Sequence, residues 1–148
     1  MSNPKQGEVL VVEAGCAPYT QCIAAGRHRF VADEPASNGG HDVGPSPYEL
    51  LMAALGSCTA ITLRMFVERN EWPMRRVRVE LRCDKIPAPD GASLLDQFHR
   101  TIYLEGNLTE SQRQRLLEIA EKCPVSQTLR HSSVIDTKLA NSDLAVRA

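Results

Sequence analysis

SPYELLMAALGSCTAITLRMFVERN, residues Ser46–Asn70, reads as one long helix. Ser46 is placed to cap it, Pro47 suits the first helical position, and Glu49 completes an S-x-x-E capping box. Beyond that start Leu50, Leu51, Met52, Ala53, Ala54, Leu55, Ile61, Leu63, Met65 and Phe66 point in nearly every direction. A helix apolar all round is expected to be buried on all sides. The stretch is therefore read as a central helix, with Gly56, Ser57 and Ala60 small enough to let a neighbour come close. Polar side chains return at Arg64 and from Glu68 onward, and Trp72–Pro73 ends the helix.

Upstream the chain reads as strands: Glu8–Glu13, a turn at Gly15–Pro18, then Tyr19–Ala25 and His28–Ala32 flanking Gly26 as the arms of a hairpin. Asp33 to Pro47 is rich in Gly, Pro, Asp, Asn and Ser, and a loop of that length without structure of its own is often functional. Downstream, Arg76–Cys83 alternates, with Val77, Val79, Leu81 and Cys83 on one face and Arg76, Arg78, Glu80 and Arg82 on the other. That is a half-buried antiparallel strand. Pro87–Gly91 reads as a loop, Gln97–Leu104 as a second strand with Phe98, Ile102 and Leu104 in phase, and Gly106–Asn107 as a turn. Thr109 with Gln112 forms a second capping box, and Leu116, Ile119, Ala120 and Cys123 follow at i, i+3, i+4 and i+7. Pro124 restarts a short helix to about Leu129, Ser133–Leu139 reads as a last strand, and the remaining tail is polar. Strands, central helix, strands, helices, strand: the order favours α+β with antiparallel sheets over βαβ units.

The chain has 148 residues, 43% hydrophobic and 24% charged, with a formal charge of −1. That length suits one domain (residues 1–148) and buries roughly 68–70% of the unfolded surface without help from a metal or disulfide. The charge balance argues against a nucleic-acid partner bound by phosphate neutralisation. No uninterrupted apolar run approaches ~18 residues, so no membrane span is expected. The amino end, MSNPKQGEVLVVE, lacks the pattern of a signal peptide. A cytoplasmic location follows as the expectation.

Five cysteines, Cys16, Cys22, Cys58, Cys83 and Cys123, then read as reduced thiols. With no CxxC and with His28, His41, His99 and His131 scattered singly, no metal site and no cofactor are expected. Cys123 precedes a proline at a helix start, where backbone N–H groups and the positive helix end favour a thiolate. The alternative is a buried apolar cysteine that ends a helix stripe. Cys58 lies mid-helix among small and apolar residues, where it is either a core cysteine or a nucleophile in need of a nearby cation. Cys83 faces the core by its strand phase; Cys16 and Cys22 stay undecided. Glu49 serves the helix start, and nine positions of 100° place it on the opposite side of a straight helix from Cys58. Arg27 and Arg29, flanking one hairpin strand, are surface residues or a source of the missing cation.

GGHDVGPSPYELLMAALGSCTAITLRMF followed by EKCPVSQTL resembles the OsmC/Ohr family, the osmotically inducible and organic hydroperoxide resistance proteins. The resemblance runs from about Val9 to Leu139 and is nearer to the general OsmC-like branch than to Ohr proper. It implies an intertwined α+β homodimer, with two curved antiparallel sheets around buried central helices and sites at the subunit interface. It also implies a thiol-dependent peroxidase. Cys58 matches the peroxidatic cysteine and Cys123 the resolving one. A hydroperoxide would oxidise Cys58 to a sulfenic acid, Cys123 would condense with it to a disulfide, and a dithiol reductant, often a lipoyl group, would restore both thiols. Two departures stand out. Tyr48 follows the motif proline where the Ohr pattern has its carboxylate, so Glu49 is turned by about 100°. No arginine stands near Ala17, where the family's activating arginine falls, which leaves Arg29 or Arg27 to substitute. Two rival readings keep the fold: a non-enzymatic dimer holding an apolar ligand, and a general thiol–disulfide exchange protein.

Overall fold

A computed structural model describes residues 3–131 and 133–140. The element order is β1 (Val9–Glu13), β2 (Gln21–Ala25), β3 (His28–Ala32), a short 3-10 turn (Ala36–Asn38), α1 (Pro47–Arg69), β4 (Met74–Pro87), β5 (Leu94–Gly106), α2 (Glu110–Ala120) and α3 (Pro124–Arg130). This is α+β, with a three-stranded antiparallel sheet β1-β2-β3 and a two-stranded one β4-β5. The described residues form two compact units, one holding those up to Leu50 with residues 135–140, the other those between Leu51 and Val134.

In the first unit the hairpin turns at Gly26, whose φ of 57° is open to glycine at little cost. The register pairs Ala25 with His28 and Gln21 with Ala32. The loop that follows is organised by Asp33, whose side chain is buried. Its carboxylate accepts from the backbone N–H of Glu34 (2.9 Å), His41 (3.0 Å) and Val43 (3.4 Å). Burial works to raise the Asp33 pKa, but these backbone N–H groups hold it below the ordinary carboxylate value. The native state therefore prefers the ionised form. The stability this adds is fully present above the unfolded-state pKa of about 3.9 and is lost as pH falls through the lower folded value. Asp33→Asn is expected to open the loop at neutral pH and to flatten the acid limb of a pH–stability curve followed by urea melts. An acid limb identical to that of the unsubstituted chain would assign the effect to other carboxylates.

In the second unit the core joins Leu63 and Val67 of α1, Met74, Leu108, and Leu116, Ile119 and Ala120 of α2. Phe66, Trp72, Val77, Ile102 and Leu104 pack around it. Both capping boxes form. Ser46 N–H donates to Glu49 Oε2 at 2.7 Å and Glu49 N–H to Ser46 Oγ at 3.4 Å; Thr109 and Gln112 cap α2 reciprocally. Two arginines tie helices to strand ends. Arg64 donates to the carbonyls of Met74 and Arg75, and Arg113 to those of Leu104 and Gly106. A Cβ on Gly56 would lie 2.8 Å from Leu81 Cδ1, so the small residue in α1 serves its approach to β4.

The structure departs from the sequence reading at four points. The all-round apolar helix is buried on one side only, along Leu55, Thr59, Leu63 and Val67. Ala54, Ser57, Ile61 and Met65 face out on the opposite side. Apolar composition states that a face needs covering but not that the same chain covers it. Second, the 23-residue α1 contains an 18-residue window of mean hydropathy 1.7, long and apolar enough for a bilayer span, although no single unbroken apolar run suggested one. Gly56, Ser57, Thr59, Thr62 and Arg64 interrupt the run, but its Leu, Ile, Val and Phe keep the mean high; a helix packed in a protein core passes the same test, so this is weak ground for a membrane. Third, Ser133–Leu139 is not a strand. Residues 133–140 have no regular structure, and Val134, Ile135 and Leu139 stand fully in solvent. Among the described residues no strand pairs with this segment to take its N–H and C=O groups, and a strand exists only as part of a pair. Last, β4 and β5 run several residues past the alternating segments at both ends, pairing from Met74↔Gly106 to Pro87↔Leu94.

Candidate active site

The inward stripe of α2 continues past the helix end into Cys123, which has no exposed surface. Cys123 is the N-cap of α3, with φ −63° and ψ 138°, and Pro124 occupies the first helical position. Its sulfur accepts from the Ser126 N–H at 3.4 Å, so the thiol takes the capping role that an oxygen normally fills. The placement inferred for a cysteine before proline at a helix start is the one found.

A second helix reaches the same sulfur. Thr59 of α1, wholly buried, has its Oγ1 3.6 Å from Cys123 Sγ. Thr59 also donates to the Leu55 carbonyl at 2.7 Å. It is the residue directly after Cys58, and folding has thus brought the Cys-Pro turn against the cysteine-bearing segment of α1. Cys58 itself is half-buried on α1, and all five cysteines are free thiols.

The third contribution comes from β5. Arg100 sits between Phe98 and Ile102 in the inward phase, opposite Leu81 of β4, with 10% of its side chain exposed. One guanidinium nitrogen donates to Thr59 Oγ1 at 2.9 Å and to the Ala120 carbonyl at 3.2 Å, and lies 4.0 Å from Cys123 Sγ. Its other terminal nitrogen pairs with Glu121 Oε1 at 2.8 Å. Glu121 is held in turn by Arg130 of α3. Beside this cluster opens a cavity of about 500 Å³ whose lining includes Leu55, Phe98, Arg100, Ser126, Leu129 and Arg130. Its size and mixed apolar and charged walls fit a small organic molecule.

Glu49 and Arg29 belong to the first unit. The Glu49 carboxylate returns to Ser46, accepting from its N–H and hydroxyl, and these bonds hold its pKa below the ordinary value. Arg29 spends its donors within reach of its own hairpin, on the carbonyls of Gly26 and His28 and on the Asn3 side chain. Cys83 faces the inner side of β4 as its phase required. Burial, with the Asp96 carboxylate 3.8 Å away, pushes its thiol pKa up and makes it a poor nucleophile near neutrality. Among the described residues no group of three or more His, Cys, Asp or Glu side chains is arranged to hold a metal.

Sequence reasoning missed Thr59, Arg100 and Glu121. For Arg100 a signal existed: an arginine in the apolar phase of an alternating strand, which is buried only if something pairs with it. For Thr59 it was a hydroxyl in register with Leu55 and Leu63. For Glu121 there was none.

Antiparallel α+β architecture with a buried thiol where a Cys-Pro helix start meets an apolar helix defines a small thiol-centred protein. Residues 39–138 match the family model described as OsmC-like protein, and the chain belongs to that family. Solved structures share the fold. An OsmC-like protein from Mycoplasma pneumoniae is 12% identical with a TM-score of 0.69, over 85% of this chain and 88% of that one. The organic hydroperoxide resistance protein OhrB of Bacillus subtilis is 18% identical at a TM-score of 0.60, covering 83% and 89%. An OsmC-like hydroperoxide resistance protein from Jannaschia sp. is 26% identical at 0.53, covering 84% and 86%. No curated protein sequence matches the chain.

Proposed function

We propose that this chain is a thiol peroxidase that reduces organic hydroperoxides through Cys58 and Cys123. The Cys58 thiolate attacks one peroxide oxygen; the O–O bond breaks, the alkoxide takes a proton and leaves as an alcohol, and Cys58 becomes a sulfenic acid. Cys123 then displaces hydroxide, which leaves as water, and a Cys58–Cys123 disulfide forms. A dithiol of lipoyl type reduces it by two exchange steps and is itself oxidised to a disulfide. Hydrogen peroxide is a secondary substrate, and the cytoplasm, where dithiols are kept reduced, is the compartment that suits the cycle.

The observation that carries the reading is the contact of the Cys123 sulfur with Thr59, one residue from a cysteine 65 positions away in sequence. Membership of the OsmC-like family and likeness to hydroperoxide resistance proteins support it. The test is stopped-flow consumption of cumene hydroperoxide with dihydrolipoamide as reductant. Turnover that needs both reagents is expected. Consumption of neither overturns the reading, and reduction of protein disulfides without peroxide favours an exchange protein instead.

The same proposal includes a homodimer. Ile61 is 59% and Met65 47% exposed on the outward stripe of α1, and a second copy is the occupant the family resemblance supplies. Light scattering coupled to size exclusion is expected to find twice the chain mass, and Ile61→Glu to return the monomer. A monomeric unsubstituted chain would contradict this.

A further inference from the structure

We infer that Arg100 is a positioning residue for the Cys123 sulfur, acting directly and through Thr59 to hold that thiol in its attacking orientation. A guanidinium on the apolar face of a strand is costly to bury unless its donors are used and its charge is met. Here both conditions hold, and the groups that meet them are those around one sulfur. Arg100 bonds Thr59 of α1, the Ala120 carbonyl at the end of α2 and Glu121 just beyond it. One side chain on β5 thus ties α1 to the end of α2, on either side of Cys123. A role limited to filling space between β5 and the helices would be served by an apolar residue in phase with Phe98 and Ile102.

The proton arrangement around Thr59 adds to this. Its Oγ1 accepts from Arg100, and its single hydrogen is directed to the Leu55 carbonyl, the shorter of its two remaining contacts at 2.7 Å. The Cys123 thiol, 3.6 Å away, is then the donor to Thr59 in the resting protein. When Cys123 loses that proton, Thr59 can turn its hydroxyl toward the sulfur, where the Ser126 N–H and the Arg100 guanidinium already stand. The resting thiol and the attacking thiolate are both accommodated without moving a backbone. In the step served, the Cys123 electron pair forms the S–S bond, the S–O bond of the Cys58 sulfenic acid breaks, and hydroxide leaves as water with the Cys123 proton.

The inference rests on the proposed peroxidase only for the electrophile, so its test has two arms. In a Cys58→Ser background, the rate at which 4,4′-dithiodipyridine modifies Cys123 is read by mass spectrometry of the Cys123 peptide. Arg100→Gln is expected to slow it by about tenfold, as loss of hydrogen bonds from a charged donor would, and Arg100→Lys to recover part of the rate. Loosened packing alone would expose Cys123 and speed its modification, so an unchanged or faster rate overturns the inference. Should Arg100→Gln fail to fold, Thr59→Val, which keeps the side chain's shape, is expected to slow modification in the same direction, and an unchanged rate there also overturns it. In the second arm the chain with Cys58 intact is treated with cumene hydroperoxide and dimedone. Arg100→Gln is expected to accumulate the Cys58 sulfenic-acid adduct while its disulfide forms about tenfold more slowly. Disulfide formation at the unsubstituted rate counts against the inference. Slowed modification in the first arm, with no peroxide consumed by any chain in the second, upholds Arg100 and sinks the peroxidase.

Discussion

Cys58→Ser is expected to lower cumene hydroperoxide turnover by about 10³-fold or more, the size of loss seen when a catalytic nucleophile is removed. A hydroxyl in place of the thiol is not ionised near neutrality and cannot be oxidised to a sulfenic acid, so no residual cycle remains through that position. Cys123→Ser has a different signature. The first oxidation proceeds once, the alcohol product appears in a single burst, and the sulfenic acid waits for an external thiol. The pair of variants therefore separates attack from resolution. Equal turnover in Cys58→Ser and the unsubstituted chain, measured by loss of peroxide under excess dihydrolipoamide, would move the nucleophile elsewhere; Cys83, with its raised thiol pKa, is a poor replacement.

The second large effect is on stability. Leu116 has no exposed surface and sits in the core of the Leu51–Val134 unit with Leu63, Val67 and Ile119. Leu116→Ala removes the transfer free energy of the lost methyl groups and leaves a cavity, a cost of about 2–5 kcal/mol. Because Leu116, Ile119, Ala120 and Cys123 form one stripe, the loss also loosens the turn that presents the sulfur. Urea melts are expected to show the destabilisation, and peroxide turnover to fall at temperatures where the protein is still folded. A loss under 1 kcal/mol would mean that α2 repacks freely and does not fix Cys123.

What could be read in the sequence was local. A capping box involves residues three apart, so Ser46–Glu49 and Thr109–Gln112 declared two helix starts to within a residue. Cys-Pro at a helix restart is equally local, and the thiol cap on the Ser126 N–H was accessible to the same reasoning. The alternation of β4 gave its inner face correctly because both faces of a strand are written in consecutive residues. Two of the misreadings are questions of partnership. Ile61 and Met65 are apolar whether the covering surface comes from this chain or another, and Val134, Ile135 and Leu139 are apolar whether or not a strand lies beside them. Arg100 is the instructive case. Its position in the phase of Phe98 and Ile102 stated that something must meet a buried cation, but Thr59, 41 positions earlier, and Glu121, 21 later, are joined to it only by tertiary structure.

The resemblance supplied the roles of Cys58 and Cys123, and local chemistry supplied a reason for one of them. Arg29, the candidate cation for Cys58 on the early hairpin, is engaged with Gly26, His28 and Asn3. In the second unit Arg100 is a cation beside a cysteine, and that cysteine is Cys123.

The central claim, that Cys58 and Cys123 form one oxidisable couple, is tested by treating the reduced protein with one equivalent of cumene hydroperoxide and mapping its disulfides by mass spectrometry without reduction. A single cross-linked peptide pair joining Cys58 to Cys123, lost again on addition of dihydrolipoamide, is the expected result. Peroxide consumed with those two thiols still free, or either one joined to Cys16, Cys22 or Cys83 instead, would contradict it.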